Sequence, residues 1–489
     1  MALRPARICM RIGFVGTSLQ IAGEIVVRLQ RAGYAAFWVG GCVRDFLLGR
    51  EPQDYDIATE ARPEQVEKLF KKTIAVGRKF GVVIVVVGKR HFQVATFRAE
   101  AEYRDGRRPG KVVFSSAEAD AQRRDFTVNG LFYDPKAEKL HDWVGGEQDL
   151  RAKIIRTIGT PEDRFAEDHL RLLRAVRFAA QLGFEIEPET FAAVKKLAPK
   201  IERISAERIR DELIKLFAPP KTLAGGAASP LPAACLPTDS GAHGVTPPAS
   251  SAARGLVLLR DSRLLPGVLP ELIATILCHQ SPDYHPEGTV FEHIRLMLEK
   301  MPPDSSPSLP WAVILHDIAK PATAERDPAT GAIHFYGHEK VGAAMAERIL
   351  QRLRFPKKHI EEIVACVRNH MQFKDVKQMR KATLRRLLLR QTFPLELELH
   401  RLDCLGSHGN LDHYEFLLAQ AAELKEKPAI QPPLLTGKDL IKLGMKPGPA
   451  MGVLLDEIRE KQLADELKTP RAAKVWVRKR LPTTKRGPG

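Results

Sequence analysis

Cysteine is scarce in this chain: six occur in 489 residues, at Cys9, Cys42, Cys235, Cys278, Cys366 and Cys404, with no CxxC spacing among them. That excludes a disulfide-stapled scaffold and a thiolate zinc site, and leaves the thiols as small apolar residues of a reducing compartment. Long apolar runs are missing too. The longest aliphatic stretch, Val82 to Val87, falls far short of the roughly 20 residues that cross a bilayer. At the N-terminus Arg4, Arg7 and Arg11 precede apolar residues, but Ser18, Gln20 and Glu24 break up any secretory core, so a cytoplasmic protein with no membrane association is expected. Acid is in deficit: 59 Asp and Glu against 76 Lys and Arg leave a net charge of +17. Such a field favours polyanions, with nucleic acid first among them. Nothing points to a protein partner. A 44% hydrophobic and 28% charged composition is that of a folded chain, and its length suggests about three domains.

The chain divides by pattern. Residues 23–150 mix short β-branched runs, such as Val82 to Val87, with helical stretches and read as an α+β domain. From 151 to 218 the apolar residues return at helical spacing (Leu170, Leu173, Val176), break at Gly183 and resume after Pro188. Residues 219–255 hold seven Pro, five Gly and only three charges, too little apolar surface to offset ordering entropy, and are expected to be a disordered insertion. Helical pattern resumes over 256–425, where 11 of the 15 histidines cluster between His279 and His413. The segment 426–489 reads as a basic tail, with eight Lys or Arg and no acid after Glu466. There is no internal repeat.

The most informative stretch is GGCVRDFLLGREPQDYDIAT, Gly40 to Thr59. On a strand, Asp54 and Asp56 share one face with Tyr55 on the other. Two hard oxygen ligands on one face suit Mg²⁺, and two such ions can activate a hydroxyl and neutralise a departing pyrophosphate. Gly40 and Gly41 let backbone amides approach a triphosphate, with Arg44 placed to neutralise charge.

This stretch resembles the signature of the polymerase-β-like nucleotidyltransferases, specifically the tRNA nucleotidyltransferases and their sister bacterial poly(A) polymerases. RRDFTVNGL (Arg123 to Leu131), HDWVGG (His141 to Gly146) and EDHLRLLRAVRFAAQLGF (Glu167 to Phe184) agree with further motifs of that family in order and spacing. The resemblance spans about residues 36–217. It implies nucleotide contact by Arg123 and Arg124, with Arg124 ahead, a sugar contact by Asn129, and base selection by Asp168 and Arg171. It also implies nucleotide or primer contacts by Arg174 and Arg177. Spacing agrees: Asp168, Arg171, Arg174 and Arg177 recur every three residues as a drifting stripe on a helix, offering acceptor and donors to a base edge. One departure is Gln93, where relatives usually carry Glu, a possible third acidic ligand: either that carboxylate is dispensable here, which the intact Asp pair favours, or metal binding is weaker. EYRDGRRPGKVVF (Glu102 to Phe114) resembles the flexible loop of tRNA nucleotidyltransferases, with Arg104, Arg107 and Arg108 placed to meet phosphate.

Downstream, HPEGTVFEH, LHDIAKP, GHEKVG, NHM and RLDCLGSHG resemble the helical HD phosphohydrolase domain. The resemblance maps metal ligands to His293, His316, Asp317 and Asp403, extended by His338 and His370 toward a two-metal site for a divalent transition metal. The terminal TGKDLIKLGMKPGPAMG resembles the end of HD-containing nucleotidyltransferases, and Lys438, Lys442 and Lys446 there are candidate contacts to RNA phosphates. The expectation is an α+β polymerase-β-like head followed by an all-helical neck, body and HD-type domain. With Mg²⁺ it would add CMP and AMP from CTP and ATP to the 3′ end of tRNA, with HD phosphohydrolase activity as an addition. A poly(A) polymerase or an A-only or CC-only enzyme is the alternative within the class; an HD-type phosphohydrolase with an RNA-binding N-terminal domain is the alternative outside it.

Overall fold

The computed structural model describes residues 17–75, 81–99, 113–220, 250–282, 285–426 and 432–480. The chain forms two compact units, one built on residues 1–273 with 302–304 and one on 274–301 with 305–489. The loop arginines Arg104, Arg107 and Arg108 and most of the expected insertion lie outside the described residues.

In the first unit, α1 (Ser18–Arg31) opens with a capping box between Thr17 and Gln20 and buries Ile21, Ala22, Ile25, Val26 and Leu29 on one face. The strands are β1 (Ala36–Val39), β2 (Ile57–Thr59), β3 (Thr73–Ile74), β4 (Val82–Val87), β5 (Arg90–Thr96), β6 (Arg98–Ala99), β7 (Val113–Phe114), β8 (Phe132–Asp134) and β9 (Lys139–His141). Seven of them form one mixed sheet in the order β3-β4-β5-β2-β1-β8-β9, with β2 and β5 parallel and their neighbours antiparallel. The unbroken β-branched run of β4 suits a strand packed on both faces. Between the strands come α2 (Gly41–Leu47), α3 (Pro63–Leu69) and α4 (Ala117–Gln122); α5 (Gly146–Ala152) follows β9.

The neck carries α6 (Pro161–Glu167), α7 (Leu170–Leu182), α8 (Pro188–Leu197), α9 (Ala206–Leu216), α10 (Ser251–Asp261) and α11 (Leu265–Val268). Helix α7 is buried nearly all round and ends at Gly183, which takes the left-handed φ of 73°. Two features differ from expectation. The neck contains a short parallel ladder, β10 (Ile154–Ile155) with β11 (Glu185–Ile186), because the turn at Gly183 returns the chain beside the strand that precedes the neck. The expected insertion also stops short of 255: α10 starts at Ser251 and buries Ala252, Ala253 and Gly255, the last so close to α9 that a methyl there would meet Leu216 at 2.6 Å.

The second unit holds α12 (Val290–Glu299), α13 (Leu309–Leu315), α14 (His338–Arg352), α15 (Lys357–Asn369), α16 (Lys381–Leu388), α17 (Phe393–Gly406) and α18 (Asp412–Glu426). It is helical apart from one two-residue ladder, β12 (Glu325–Arg326) with β13 (Ile333–His334). The segment expected as a tail is folded through residue 480. There α19 (Gly437–Lys442), α20 (Pro449–Leu463) and α21 (Pro470–Arg478) close over Leu434, Leu440, Met451, Ile458, Ala473 and Val477. Every fourth or so residue of this stretch is apolar, and that outweighs its net charge. Among the described residues no helix is long and apolar enough to cross a membrane.

The HDWVGG motif is a cap. Asp142 accepts the backbone N–H groups of Val144, Gly146 and Glu147 at 2.9–3.1 Å, and Gly145 turns the chain with φ 77°. A Cβ on Gly146 would lie 2.2 Å from the Thr127 carbonyl oxygen. Thr127 cannot yield, since its hydroxyl donates to Asp149 at 2.7 Å and its N–H to Arg156 O. Gly146→Ala is therefore expected to cost about 1–3 kcal/mol, read as a drop of several degrees in the thermal melt.

Candidate active site

Asp54 and Asp56 stand just ahead of β2, with the local backbone held by the Val39 N–H bond to Asp56 O at 3.0 Å. Both side chains are exposed while Tyr55 between them is buried against Trp38 at a ring distance of 5.4 Å. The alternation expected of a strand is thus kept, and Tyr55 is the anchor that turns both carboxylates to one side. Among the described residues neither carboxylate makes a hydrogen bond or ion pair. Burial of its surroundings raises the Asp56 pKa; Arg124 opposes that rise and Asp54 adds to it. Two carboxylates turned to one side could seat a divalent cation. The parallel register Ile57 with Val94 sets Gln93 abreast of Asp56, and Gln93 is exposed, so a neutral amide occupies the place next to the pair.

Gly40 has a structural reason. Its φ of 75° starts α2, and a Cβ there would sit 2.8 Å from Arg124 Nη1. Arg124 is held by Asp120, which also takes both Nε and Nη2 of Arg123, so one buried carboxylate aligns the arginine pair. Gly41 leaves a gap in front of Arg44, a methyl there lying 3.7 Å from Nη2. Arg44 itself is buried. It donates to Asn129 Oδ1 at 2.7 Å, and Asn129 Nδ2 donates to Asp125 Oδ1 at 3.1 Å. Asp125 Oδ2 accepts from Arg174 at 2.5–2.7 Å. Burial alone would raise Asp125, but the Arg174 charge and the bonds from Asn129 and Phe126 N–H bring it down to about 2. Three guanidinium groups, of Arg44, Arg174 and Arg177, lie 4.0–5.3 Å from the Phe178 ring.

The expected stripe is neither continuous nor solvated. Asp168 lies outside α7 in an extended conformation, accepting from Leu170 N–H at 3.1 Å and Arg208 Nη2 at 2.6 Å. Arg171 pairs with Glu167 and with Arg164 O at 2.9 Å, so Asp168 and Arg171 are each oriented by a separate partner rather than by one another. Arg177 is buried on Glu212 at 2.6 Å and Gln181 at 3.0 Å, which commits it to packing α7 against α9. Both ends of the Asn129 amide are engaged inside the protein. Asp125 and Glu167 lay within the quoted motifs but went unmarked as partners; Arg208 and Glu212, 30 to 40 residues from theirs, leave no signal in sequence.

In the second unit the six expected ligands come together. Asp317 is buried beside His316 Nε2 (3.1 Å), His338 Nε2 (3.3 Å) and His370 Nε2 (3.6 Å), and Asp403 lies 3.1 Å from His293 Nε2. The Nδ1 atoms of His316, His338 and His370 each lie 2.7–2.8 Å from a carbonyl oxygen three residues back, which puts the proton on Nδ1 and bares Nε2. His338 Nε2 and His370 Nε2 face one another at 3.1 Å; burial would lower the His338 pKa, but contact with Asp317 raises it. Within 4.8 Å sit the ligand atoms of His293, His316 and Asp317, and likewise those of Asp317, His338 and His370, so Asp317 is common to two adjacent donor sets. Burial lowers the pKa of His316, keeping it neutral. Burial would also lower His293, yet its contacts with Asp403 and Glu287 push it up to about 9. Unmarked in sequence were Lys320, buried 2.7 Å from Asp317 and bonded to Gln280, and the pair His285 and Glu287. Lys438 and Lys442, one turn apart on α19, and Lys446 beyond it are exposed.

A DxD pair beside a glycine turn at a mixed sheet, joined to a helical neck and a histidine–aspartate cluster, defines a nucleotidyltransferase head with a fused HD unit. Comparisons with known proteins agree. Residues 36–156 match the poly A polymerase head domain, residues 183–225 the probable RNA and SrmB-binding site of polymerase A, and residues 284–405 the HD domain. Residues 36–156 thus carry a head domain of the poly A polymerase type and residues 284–405 a domain of the HD type. It is similar to the CCA-adding enzyme of Streptococcus suis (strain 05ZYH33), 45% identical over 209 residues, 42% of this chain and 52% of that protein. Poly(A) polymerase I of Escherichia coli O6:H1 is also 45% identical, over 40% of this chain and 44% of its own length. The matched stretch thus spans about half the length of these curated relatives. Among solved structures, the Bacillus stearothermophilus CCA-adding enzyme in complex with CTP has a TM-score of 0.67 at 27% identity, covering 95% of this chain and 98% of that one. The Thermotoga maritima CCA-adding enzyme complexed with tRNA shares the fold, at a TM-score of 0.55 and 19% identity over 95% of each chain.

The depressed pKa of Asp125 has a pH signature. Its native value of about 2 lies below the ordinary 3.8, so the stability it lends is complete above pH 4 and is lost as pH falls toward 2. That contribution is about 2 kcal/mol by linkage. In urea unfolding, the stability gap between the wild-type chain and Asp125→Asn is expected to narrow by about that much between pH 5 and pH 2.

Proposed function

We propose that this chain is a cytoplasmic, template-independent nucleotidyltransferase that adds CMP and AMP from CTP and ATP to the 3′ end of tRNA. The observation that carries this reading is the Asp54 and Asp56 pair, both exposed and, among the described residues, without a hydrogen bond or ion pair. Asp54 and Asp56 would hold two Mg²⁺ ions, which would supply charge neutralisation at the attacking hydroxyl and the leaving pyrophosphate. Arg124, reaching past the bare Gly40, meets the triphosphate, while Arg44 and Arg174 bring positive charge to the same side through Asn129 and Asp125. Asp168 and Arg171, each steadied from behind, present an acceptor and donors to the base edge, so the protein itself chooses the nucleotide. Arg123 shares Asp120 with Arg124 and acts through it. Duplex tRNA permits little base readout, so recognition is by shape and backbone, to which Lys438, Lys442 and Lys446 add a salt-sensitive term. Similarity to proteins named CCA-adding enzymes, one of them solved with CTP, supports this reading, as does the HD unit.

The same reading gives the second unit a divalent transition metal held by His293, His316, Asp317, His338, His370 and Asp403. The chemistry it supplies is phosphoester hydrolysis. Lys320, an ammonium against Asp317, and neutral His316 set the charge balance around it.

The test is incubation of tRNA transcripts ending in the discriminator base, in C or in CC with labelled CTP or ATP and Mg²⁺. Stepwise C, C and A addition that then stops is expected; continued adenylation identifies a poly(A) polymerase instead. Asp54→Ala and Asp56→Ala should each lower incorporation by at least about 100-fold, since metal-held charge stabilisation supplies several kcal/mol. His316→Ala and Asp317→Ala should leave incorporation intact. The opposite pattern would make the chain a phosphohydrolase with an RNA-binding head.

Gln93→Glu places a third carboxylate abreast of Asp56. It is expected to lower the Mg²⁺ concentration giving half-maximal incorporation, with kcat at saturating Mg²⁺ little changed, measured by a Mg²⁺ titration of CMP incorporation.

A further inference from the structure

Outside the six expected ligands, one buried acid of the second unit is unexplained. Glu287, in the segment leading into α12, has a side chain only 4% exposed, and its Oε1 lies 2.9 Å from His285 Nδ1 and 2.6 Å from His293 Nδ1. The two rings meet edge to face at 4.9 Å. Its second oxygen, Oε2, is buried with no hydrogen-bond partner among the described residues, and His293 Nδ1, though 2.6 Å from Oε1, meets it as a close charge contact without hydrogen-bond alignment. A carboxylate taken out of water with one oxygen idle costs stability that an apolar residue would not. A packing role therefore does not account for it.

His293 explains the arrangement. Its ring is wholly buried and lies between two carboxylates, Asp403 on Nε2 at 3.1 Å and Glu287 on Nδ1 at 2.6 Å. The other cluster histidines fix their rings through backbone carbonyls three residues back. His293 differs, because its Nδ1 lies 2.6 Å from Glu287 Oε1 instead. We infer that Glu287, steadied by His285, is the positioning residue for His293: it occupies Nδ1, so that Nε2 is the nitrogen turned to the metal cluster. A carboxylate does this more strongly than a carbonyl, because its charge also makes the imidazole a better donor. A separate cation among His285, Glu287 and His293 is disfavoured. Oε1 already stands at hydrogen-bond distance from both rings, and a cation there would claim the nitrogen opposite the one facing Asp403.

This inference rests on the metal reading of the second unit, and the experiment separates the two. The full chain, stripped of metal, is titrated with Co²⁺ while the visible ligand-field band, the affinity and the stoichiometry are recorded. Glu287→Ala is expected to weaken Co²⁺ binding by roughly 10- to 100-fold and to shift the band at unchanged stoichiometry, with Glu287→Gln between it and the wild type. Gln keeps an acceptor and gives up the charge. CMP incorporation and far-UV circular dichroism report that each variant is folded. An affinity within twofold of wild type for Glu287→Ala overturns the inference, and so does loss of a whole equivalent of Co²⁺, which would make Glu287 a ligand. If the wild-type chain binds no more Co²⁺ than His316→Ala, the metal reading itself falls and the inference with it.

Discussion

The ion pair between Asp125 and Arg174 is the contact on which the head depends. It sits where the segment after α4 meets α7, and it ties a residue of the sheet domain to one on the neck helix at 2.5 Å. A buried carboxylate is costly unless its lone pairs are filled, and here Arg174, Asn129 and the Phe126 N–H fill them. Asn129 in turn holds Arg44, so the guanidinium next to the glycine turn is located by a chain of bonds that begins on the neck. The Phe178 ring adds three cation–π contacts of about 0.5–2 kcal/mol each. Breaking a buried pair costs more than any one of these, about 3–5 kcal/mol, so the ion pair governs and the ring refines.

Positive charge in this head is therefore rationed by acids rather than left to solvent. Asp120 holds Arg123 and Arg124, Glu167 holds Arg171, Asp125 holds Arg174 and Glu212 holds Arg177. Each pairing removes rotamer freedom from a long side chain in advance, which limits the ordering cost of any binding there. Asp54 and Asp56 are the exception: among the described residues neither makes an ion pair, though the field of Arg124 reaches Asp56.

The second unit uses the same logic with histidine. Carbonyls and, for His293, a carboxylate hold one nitrogen of each ring, so the opposite nitrogens converge on Asp317 and Asp403. His338 Nε2 and His370 Nε2, 3.1 Å apart, belong with Asp317 to one set of donor atoms that could hold a metal ion.

Much of this was legible in the residues. The Asp54 and Asp56 pair and the glycine turn follow from short-range spacing, because alternation along a strand is local, while the order of head, neck and HD unit and the six cluster residues came from the family resemblance. Three things were not. The Asp168 to Arg177 stripe reads as one helical face, but α7 starts at Leu170 and each member answers to a different acid or base, two of them 35 and 40 residues away. The basic C-terminal segment reads as a tail, yet Leu440, Met451, Ile458 and Val477 give it a core of its own. Glu287 reads as one acid in a polar turn and proves to be the carboxylate against His293. Local periodicity and motif order determined the elements and the chemistry they carry. Which charge meets which was decided only by tertiary packing, since ion pairing depends on distance in space and on desolvation, and neither is written in the separation of residues along the chain.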